Sequence, residues 1–308
     1  LIGQAVPIEY AGASQFRPPG SQASTKLAGV RLPPPSRLTP AELDDLAELE
    51  RRVAESDGVV LKLEWPALRD GRHVSAITER ADGRLIAFLG MYTFGVGEAE
   101  LIGMVDPDHR RRGIAGRLLD RALASCDERG LGRRLLIAPR ASDAAAALAT
   151  ARGAVLDHSE HSLELTGEPH RAAAAPEIAL RDATAADRAD LIRILSAGFG
   201  PPPDSMLDPL HTDTSRTLII ARDGRPIGTL RADRHGEQGA IYGFAIDPEE
   251  RGRGVGRDVL GRVCADLRAH GAHRVKLEVE VDNDAALHLY TSVGFTPVGT
   301  EDYYRLPG

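Results

Sequence analysis

The sequence predicts a mixed α/β protein built from two tandem copies of one unit, and three observations carry that expectation. A shift of 141 residues lays ADGRLIAFL, residues 81–89, on RDGRPIGTL, residues 222–230, and AELIGMVDPDHRRRGIAGRLL on AIYGFAIDPEERGRGVGRDVL, without a gap. The offset persists to Gly130 and Gly271, Asp143 and Asp284, Gly153 and Gly294, Leu165 and Leu306. Strand-like and helix-like segments alternate within each copy, which is the pattern of a mixed sheet flanked by helices. Between the copies, TGEPHRAAAAPE has the Pro, Ala and polar content of a linker. The boundaries that follow are an arm at 1–27, a first domain at 28–166, a linker at 167–177 and a second domain at 178–308.

Each copy reads in order as a strand, helices, a hairpin, a strand ending in Asp-Pro, a helix, a strand, a helix and a last strand. The hairpins are placed by Asp82-Gly83 and Asp223-Gly224, dipeptides that tolerate the positive φ of a tight turn between apolar runs. After the second Asp-Pro, Val259, Leu260, Val263 and Leu267 form an apolar helical stripe that Gly271 stops. In RVKLEVEVD, Val275, Leu277, Val279 and Val281 alternate with charged residues, a strand with one polar face.

Composition narrows the function classes. Of 308 residues, 42% are hydrophobic and 27% charged, enough for a packed core. A formal net charge of -7 gives no global field to attract a phosphate backbone, so nucleic acid is not an expected partner. No apolar run approaches the roughly 20 residues a membrane helix needs, and the first residues lack the pattern of a secretion signal. Cys126 and Cys264 stand apart, without the spacing of a disulfide framework or a metal site. A cytoplasmic protein without a bound metal is the expectation.

The strings RRRGIAG, 110–116, and RGRGVG, 251–256, each stand between a strand and a helix. Free amides at a helix N-terminus attract anions, and glycine lets a ligand approach the backbone. Neither string is a Walker loop, because no GK[ST] follows, and RGRGVG is no G-x-G-x-x-G, because Arg257 holds its last position. What remains is R-x-x-G-x-[GA] after a strand, with NDAALHLYTSVGF downstream at 283–295. In this combination the chain resembles the GCN5-related N-acetyltransferase (GNAT) family.

The resemblance implies acetyl-CoA as cosubstrate and an amine as acceptor. Arg251, Gly252, Arg253, Gly254, Val255, Gly256 and Arg257 would cradle the CoA pyrophosphate. Phe244, Ala245 and Ile246 would offer backbone to the pantetheine arm beside a bulge that splays two parallel strands, and Asn283 would contact the same arm. The first copy's counterparts are Met104, Val105, Arg110, Arg112, Gly113, Ala115 and Gly116. Tyr290 would lie near the thioester sulfur as proton donor, although Ala286, Tyr290 and Val293 also share a helical face that could simply pack. Asn283 could equally cap the helix it opens.

A lysine-like ammonium of pKa about 10.4 must lose a proton before it attacks, so a base is needed. Glu278 stands twelve residues before Tyr290, the spacing at which family members acting on peptide N-termini place theirs. A solvated strand face is the alternative reading. Strand 240–246 holds no carboxylate, and Glu237 is the nearest. The Tyr303–Tyr304 pair resembles the paired tyrosines of peptide acetyltransferases, or is ordinary strand material. Asp204, Asp208 and Asp213, in the Pro-rich segment 198–215, would favour a cationic amine. The first copy has Ile137, Ser142, Ala149 and Ala154 where the second has Glu278, Asn283, Tyr290 and Phe295, so it is expected to keep anion binding without turnover. The reading from another class is a noncatalytic acyl-CoA sensor or scaffold.

Overall fold

The computed structural model describes residues 38–71, 73–93, 97–170, 177–202, 204–209 and 211–308; the arm at 1–27 lies outside them. The first copy runs α1 (Pro40–Asp57), α2 (Trp65–Asp70), β1 (Val74–Ala81), β2 (Arg84–Tyr92), β3 (Glu98–Val105), α3 (Ile114–Arg129), β4 (Arg133–Pro139), α4 (Asp143–Ala151) and β5 (Val155–Leu165). The second runs β6 (Ile178–Asp182), α5 (Arg188–Phe199), α6 (Asp204–Leu207), β7 (Ser215–Arg222), β8 (Arg225–His235), β9 (Gln238–Ile246), α7 (Val255–Ala269), β10 (Arg274–Glu280), α8 (Asp284–Val293) and β11 (Thr296–Arg305).

Local chemistry explains most of these boundaries. Thr39 and Glu42 make a reciprocal capping box at the start of α1. Asp82 and Gly83 have φ of 50° and 79°, and Asp223 and Gly224 49° and 80°, so both hairpins turn where the Asp-Gly pairs predict. Gly130 at φ 67° and Gly294 at φ 111° terminate α3 and α8 in the left-handed region.

The eleven strands among the described residues form one sheet, in the order β1-β2-β3-β4-β11-β5-β10-β9-β8-β7-β6. The order contains an exchange. β11, the last strand of the second copy, lies antiparallel between β4 and β5 of the first. β5, the last strand of the first copy, lies antiparallel between β11 and β10 of the second. Each copy leaves a gap beside its parallel strand β4 or β10, and the other copy's last strand fills it. Unpaired edges in the interior of a sheet would leave buried N–H and C=O groups without partners, and the exchange removes them on both sides.

The two faces of the sheet are covered differently. α3 and α4 pack on one face through Leu118, Leu119, Ala122 and Ala149, while α7 and α8 cover the same face of the second copy through Val259, Leu260, Val263, Tyr290 and Val293. On the opposite face α1 lies over β2 and β3, and α5 over β8 and β9. The middle strands β11, β5 and β10 lie between those two helices.

One polar contact occurs twice. Arg52 on α1 donates Nε to buried Asp106 at 2.9 Å and a terminal nitrogen to the Leu85 carbonyl at 3.0 Å. Arg193 on α5 donates to Asp247 at 2.6 and 2.7 Å and to the Pro226 carbonyl at 2.9 Å. These are the Asp-Pro aspartates that end β3 and β9, so each arginine ties a helix to the strand end from which the glycine-arginine loop departs. Removing one partner leaves a buried carboxylate uncompensated. Arg193→Ala is therefore expected to lower the unfolding free energy by about 1–3 kcal/mol in urea denaturation; an unchanged midpoint would show that Asp247 is solvated.

Candidate active site

The loop of the second copy leaves its amides open. Gly252 and Gly254 have φ of 74° and 79°, and the amides of Gly252, Arg253, Gly254, Val255 and Gly256 have no backbone acceptor among the described residues. Such converging amides at the start of α7 suit a phosphate. Arg251 donates Nε to the Ile246 carbonyl at 2.9 Å, and its terminal nitrogens have no acceptor among the described residues. Gly256 is needed for close approach, because a Cβ there would meet Leu289 of α8 at 3.0 Å and Ile246 at 3.5 Å. Arg257 fixes the same junction by donating Nε to the Ser292 hydroxyl at 2.9 Å. The end of β9, the loop and α8 are thus brought together.

A bulge opens the sheet beside this loop. β9 pairs in parallel with β10 only from Gln238 to Ala240, after which the two strands separate. In the ladder with β8, Thr229 faces Ala245 but Arg231 faces Tyr242, so Gly243 and Phe244 stand outside the register. Gly243 has φ 57°, a conformation favouring glycine. Before the bulge Ile241 joins the core under α7 and α8; after it Phe244 and Ile246 pack there.

Among the described residues of β2 and β3 there is no such bulge. β2 and β3 pair without a shift from Ala87 and Val105 to Tyr92 and Glu100. Glu98 pairs with Arg133, whereas Gln238 pairs with Arg274, so upstream of the bulge the structural offset is 140 residues rather than 141. The gap-free alignment conceals this one-residue slip, which a longer hairpin compensates.

α8 places the two downstream residues on the loop side of the sheet. Asn283 caps α8, its Oδ1 accepting from the Ala286 amide at 3.1 Å, and its amide nitrogen has no partner among the described residues. Ser142 caps α4 in the same way, at 3.4 Å from the Ala145 amide, so capping is the role common to both copies. The Tyr290 ring is buried edge-on to Phe295 at 6.2 Å between centroids, and its hydroxyl has no partner among the described residues. Burial pushes its pKa up to about 12, which keeps it protonated at neutral pH.

Glu278 faces the other way. Val275, Leu277 and Val279 enter the core under α7 and α8, so Glu278 projects from the opposite face, across the separation between β9 and β10. The Tyr290 phenol and the Glu278 carboxylate therefore lie on opposite faces of the sheet, beside the separation of β9 and β10. Nor does Glu278 lie on a freely solvated face, because Lys62 of the first copy stands 2.7 Å from it. Lys62 also meets Glu160 at 3.1 Å and the Tyr303 hydroxyl, and that hydroxyl donates to Glu160 at 2.5 Å.

Further acids gather around this ion pair. Burial raises Glu64, Glu100 and Glu301 each to about 7, with neighbouring carboxylates adding to the shift. Glu160, equally enclosed, is held low by Lys62 and Tyr303 against its own desolvation. None of Lys62, Glu64, Glu100, Glu160 and Glu301 was singled out by sequence, because they come from elements distant in the chain. The expected acidic segment contributes differently: Asp208 is exposed 3.7 Å from Arg188 and Asp213 is exposed. Tyr303 and Tyr304 divide between faces, Tyr303 stacking on His158 at 4.2 Å and Tyr304 packing in the first copy's helical core.

The first copy's loop keeps its shape, but its arginine is engaged within the chain. Gly113 has φ 74° and Arg111, in the place of Gly252, φ 61°. Arg110 donates Nε to the Val105 carbonyl at 3.1 Å, as Arg251 does to Ile246, but its terminal nitrogens make a bidentate pair with Asp57 at 2.7 and 2.8 Å. The residue in the place of Asp57 is Gly198. Arg117 donates to the Arg112 carbonyl at 3.0 Å and Arg152 to the Gly116 carbonyl at 3.0 Å. Ile137 and Ala149 are buried apolar residues where the second copy has Glu278 and Tyr290. Met104 packs under α1, and Val105 under α3.

Strand, open loop amides and a capped helix occur in both copies, and the second adds the bulge. The acetyltransferase (GNAT) family model matches residues 41–154 and 188–295, and the chain belongs to that family. It is 30% identical over 316 residues to a mycothiol acetyltransferase of Clavibacter michiganensis subsp. michiganensis, an alignment covering 95% of this chain and 99% of the relative. A mycothiol acetyltransferase of Nocardia farcinica is 29% identical over 88% of this chain and 96% of its own. Among solved structures, a GCN5-related N-acetyltransferase from Sphaerobacter thermophilus matches with TM-score 0.71 at 19% identity, covering 88% of this chain and 95% of that one. A tandem GNAT protein from the clavulanic acid biosynthesis pathway matches with TM-score 0.65 at 15% identity, over 88% and 96%. The chain is an N-acetyltransferase of tandem GNAT architecture that moves an acetyl group to an amine, and acetyl-CoA is the cosubstrate the family uses. Among the described residues no helix is long and apolar enough to cross a membrane.

The raised carboxylates set a pH dependence. A glutamate whose pKa rises on folding from 4.5 to about 7 favours the folded state below 4.5 and loses that contribution as pH climbs through 7. Glu301→Gln removes one such group. The variant is expected to melt at a higher temperature than the parent at pH 8 and at nearly the same temperature at pH 5, measured by calorimetry; an equal difference at both pH values would mean that Glu301 titrates normally.

Proposed function

We propose that the second copy is the acetyl-transfer site, acting on a primary amine of a small molecule, and that the first copy supports the acceptor cleft without turnover. The bulge at Gly243, present in β9 and missing from β3, is the observation that carries this assignment. In this reading Phe244 to Ile246 offer backbone amides to the pantetheine arm and the thioester carbonyl, Arg251 to Arg257 hold the pyrophosphate, and Asn283 uses its uncapped amide nitrogen. The glycines at 252, 254 and 256 and the unengaged guanidinium of Arg251 fit such a ligand. Bound acetyl-CoA supplies an activated acyl group and a thiol leaving group.

The chain's own residues then manage protons and position. The carboxylates of Glu278 and Glu64 receive the proton that the acceptor ammonium must lose, and Glu64, at about 7, is matched to neutral pH. On the other face, Tyr290, pushed up to about 12, remains a donor for the departing sulfur. The separated strands β9 and β10 let the acceptor approach from the α1 and α5 face while the cosubstrate lies on the α7 and α8 side. The curated relatives' name, mycothiol acetyltransferase, supports a small-molecule acceptor rather than a peptide N-terminus.

Release of free CoA from acetyl-CoA in the presence of a panel of amines, aminosugars and peptides tests the assignment. Tyr290→Phe is expected to lower kcat by about a hundredfold with acetyl-CoA affinity within about twofold of the parent; an unchanged kcat would remove Tyr290 from catalysis. Calorimetric titration with acetyl-CoA is expected to find one tight site per chain, because Asp57 competes for Arg110 in the first copy. Two sites of equal affinity would contradict that division.

A further inference from the structure

We propose that the acceptor carries a second cationic group, separate from the amine that is acetylated, and that Glu301 binds it in the cleft floor where the two copies meet. The inference rests on the acetyltransferase reading above and names the substrate class of that site.

The floor is built from both copies. Glu301 on β11 is paired across the sheet with Glu160 on β5, and Lys62 bridges Glu160 and Glu278. Lys62 thereby serves two carboxylates, and Glu64, Glu100 and Glu301 are close enough to feel the charges of the group. Lys276, the next cation along β10, stands 3.9 Å from Glu164.

Glu301 is the exception to the satisfaction of this network. Its side chain is buried, with only 5% of the residue exposed, and its Oε2 has no hydrogen-bond partner among the described residues. Buried carboxylates are almost never charged without a cation or donors, so in its charged form Glu301 lacks a partner for Oε2 that a bound cation would supply. Five carboxylates share Lys62, with Lys276 acting on Glu64 from the rim, and this excess of negative charge favours a positive partner over a neutral hydroxyl.

The test is calorimetric binding to the full chain in the presence of CoA, using cadaverine, its monoamine analogue 5-amino-1-pentanol, and glucosamine. Cadaverine is expected to bind about tenfold more tightly than the aminoalcohol, the value of one charge-assisted hydrogen bond, and Glu301→Gln to reduce that ratio to about twofold or less. Glu64→Gln provides a second variant should the first fail to fold. Equal affinity for cadaverine and the aminoalcohol, an unchanged ratio in Glu301→Gln, or tighter binding of glucosamine would overturn the proposal. CoA release is followed in parallel with acetyl-CoA. Turnover of the aminoalcohol without any cadaverine preference would sink the second-cation inference alone, whereas Glu301-dependent binding with no CoA release from any of the three would sink the acetyl-transfer assignment.

Discussion

The exchange of β5 and β11 is the constraint on which the rest of this structure depends. Neither copy has a complete sheet of its own, since the strand beside β4 comes from the second copy and the strand beside β10 from the first. The exchange brings Lys62 and Glu160 of one copy against Glu278 and Tyr303 of the other. With the middle strands shared, the cleft between α1 and α5 has a floor belonging to both copies, and a polar network can be assembled there from residues far apart in the chain. The two arginine-aspartate ties, Arg52 to Asp106 and Arg193 to Asp247, then hold the outer helices to the strand ends in matching positions.

On this nearly symmetric frame, small differences separate the two cradles. A one-residue slip puts a bulge in β9 and leaves β3 regular. Asp57 engages Arg110, while Gly198 in the corresponding place leaves Arg251 without a carboxylate. Apolar side chains at 137 and 149 replace an acid and a phenol. The amides of the loop itself survive in both copies, since they follow from a helix beginning after a left-handed glycine and not from the side chains around it. Anion cradle and reactive groups are therefore set by separate residues.

What could be read from the sequence is what local conformation and spacing determine. The Asp-Gly hairpins, the loops after Asp-Pro and the helix opened by Asn283 all depend on φ preferences, caps and periodicity within a few residues. The exchange could not be read, because the pairing partner of β5 is a tertiary choice that either neighbouring strand would satisfy. The slip was hidden by a hairpin of different length, although Gly243 within an apolar strand is the kind of residue that marks a bulge. The acidic floor was invisible as a motif, but VLDHSEHSLEL carries polar residues on both faces, unusual for a strand at the centre of an eleven-stranded sheet. Glu278 was placed by motif spacing; its ion pair with Lys62 depended on the exchange.

The position of β11 also has a consequence for how the chain is made. Synthesis runs from the N-terminus, and domains ordinarily fold as units while they emerge. Here β4 and β5 are made early, yet the strand that belongs between them is residues 296–305. Until those residues leave the ribosome, the strand that lies between β4 and β5 is not yet available. The gap between β4 and β5 is thus filled by a strand made after every other element of the second copy.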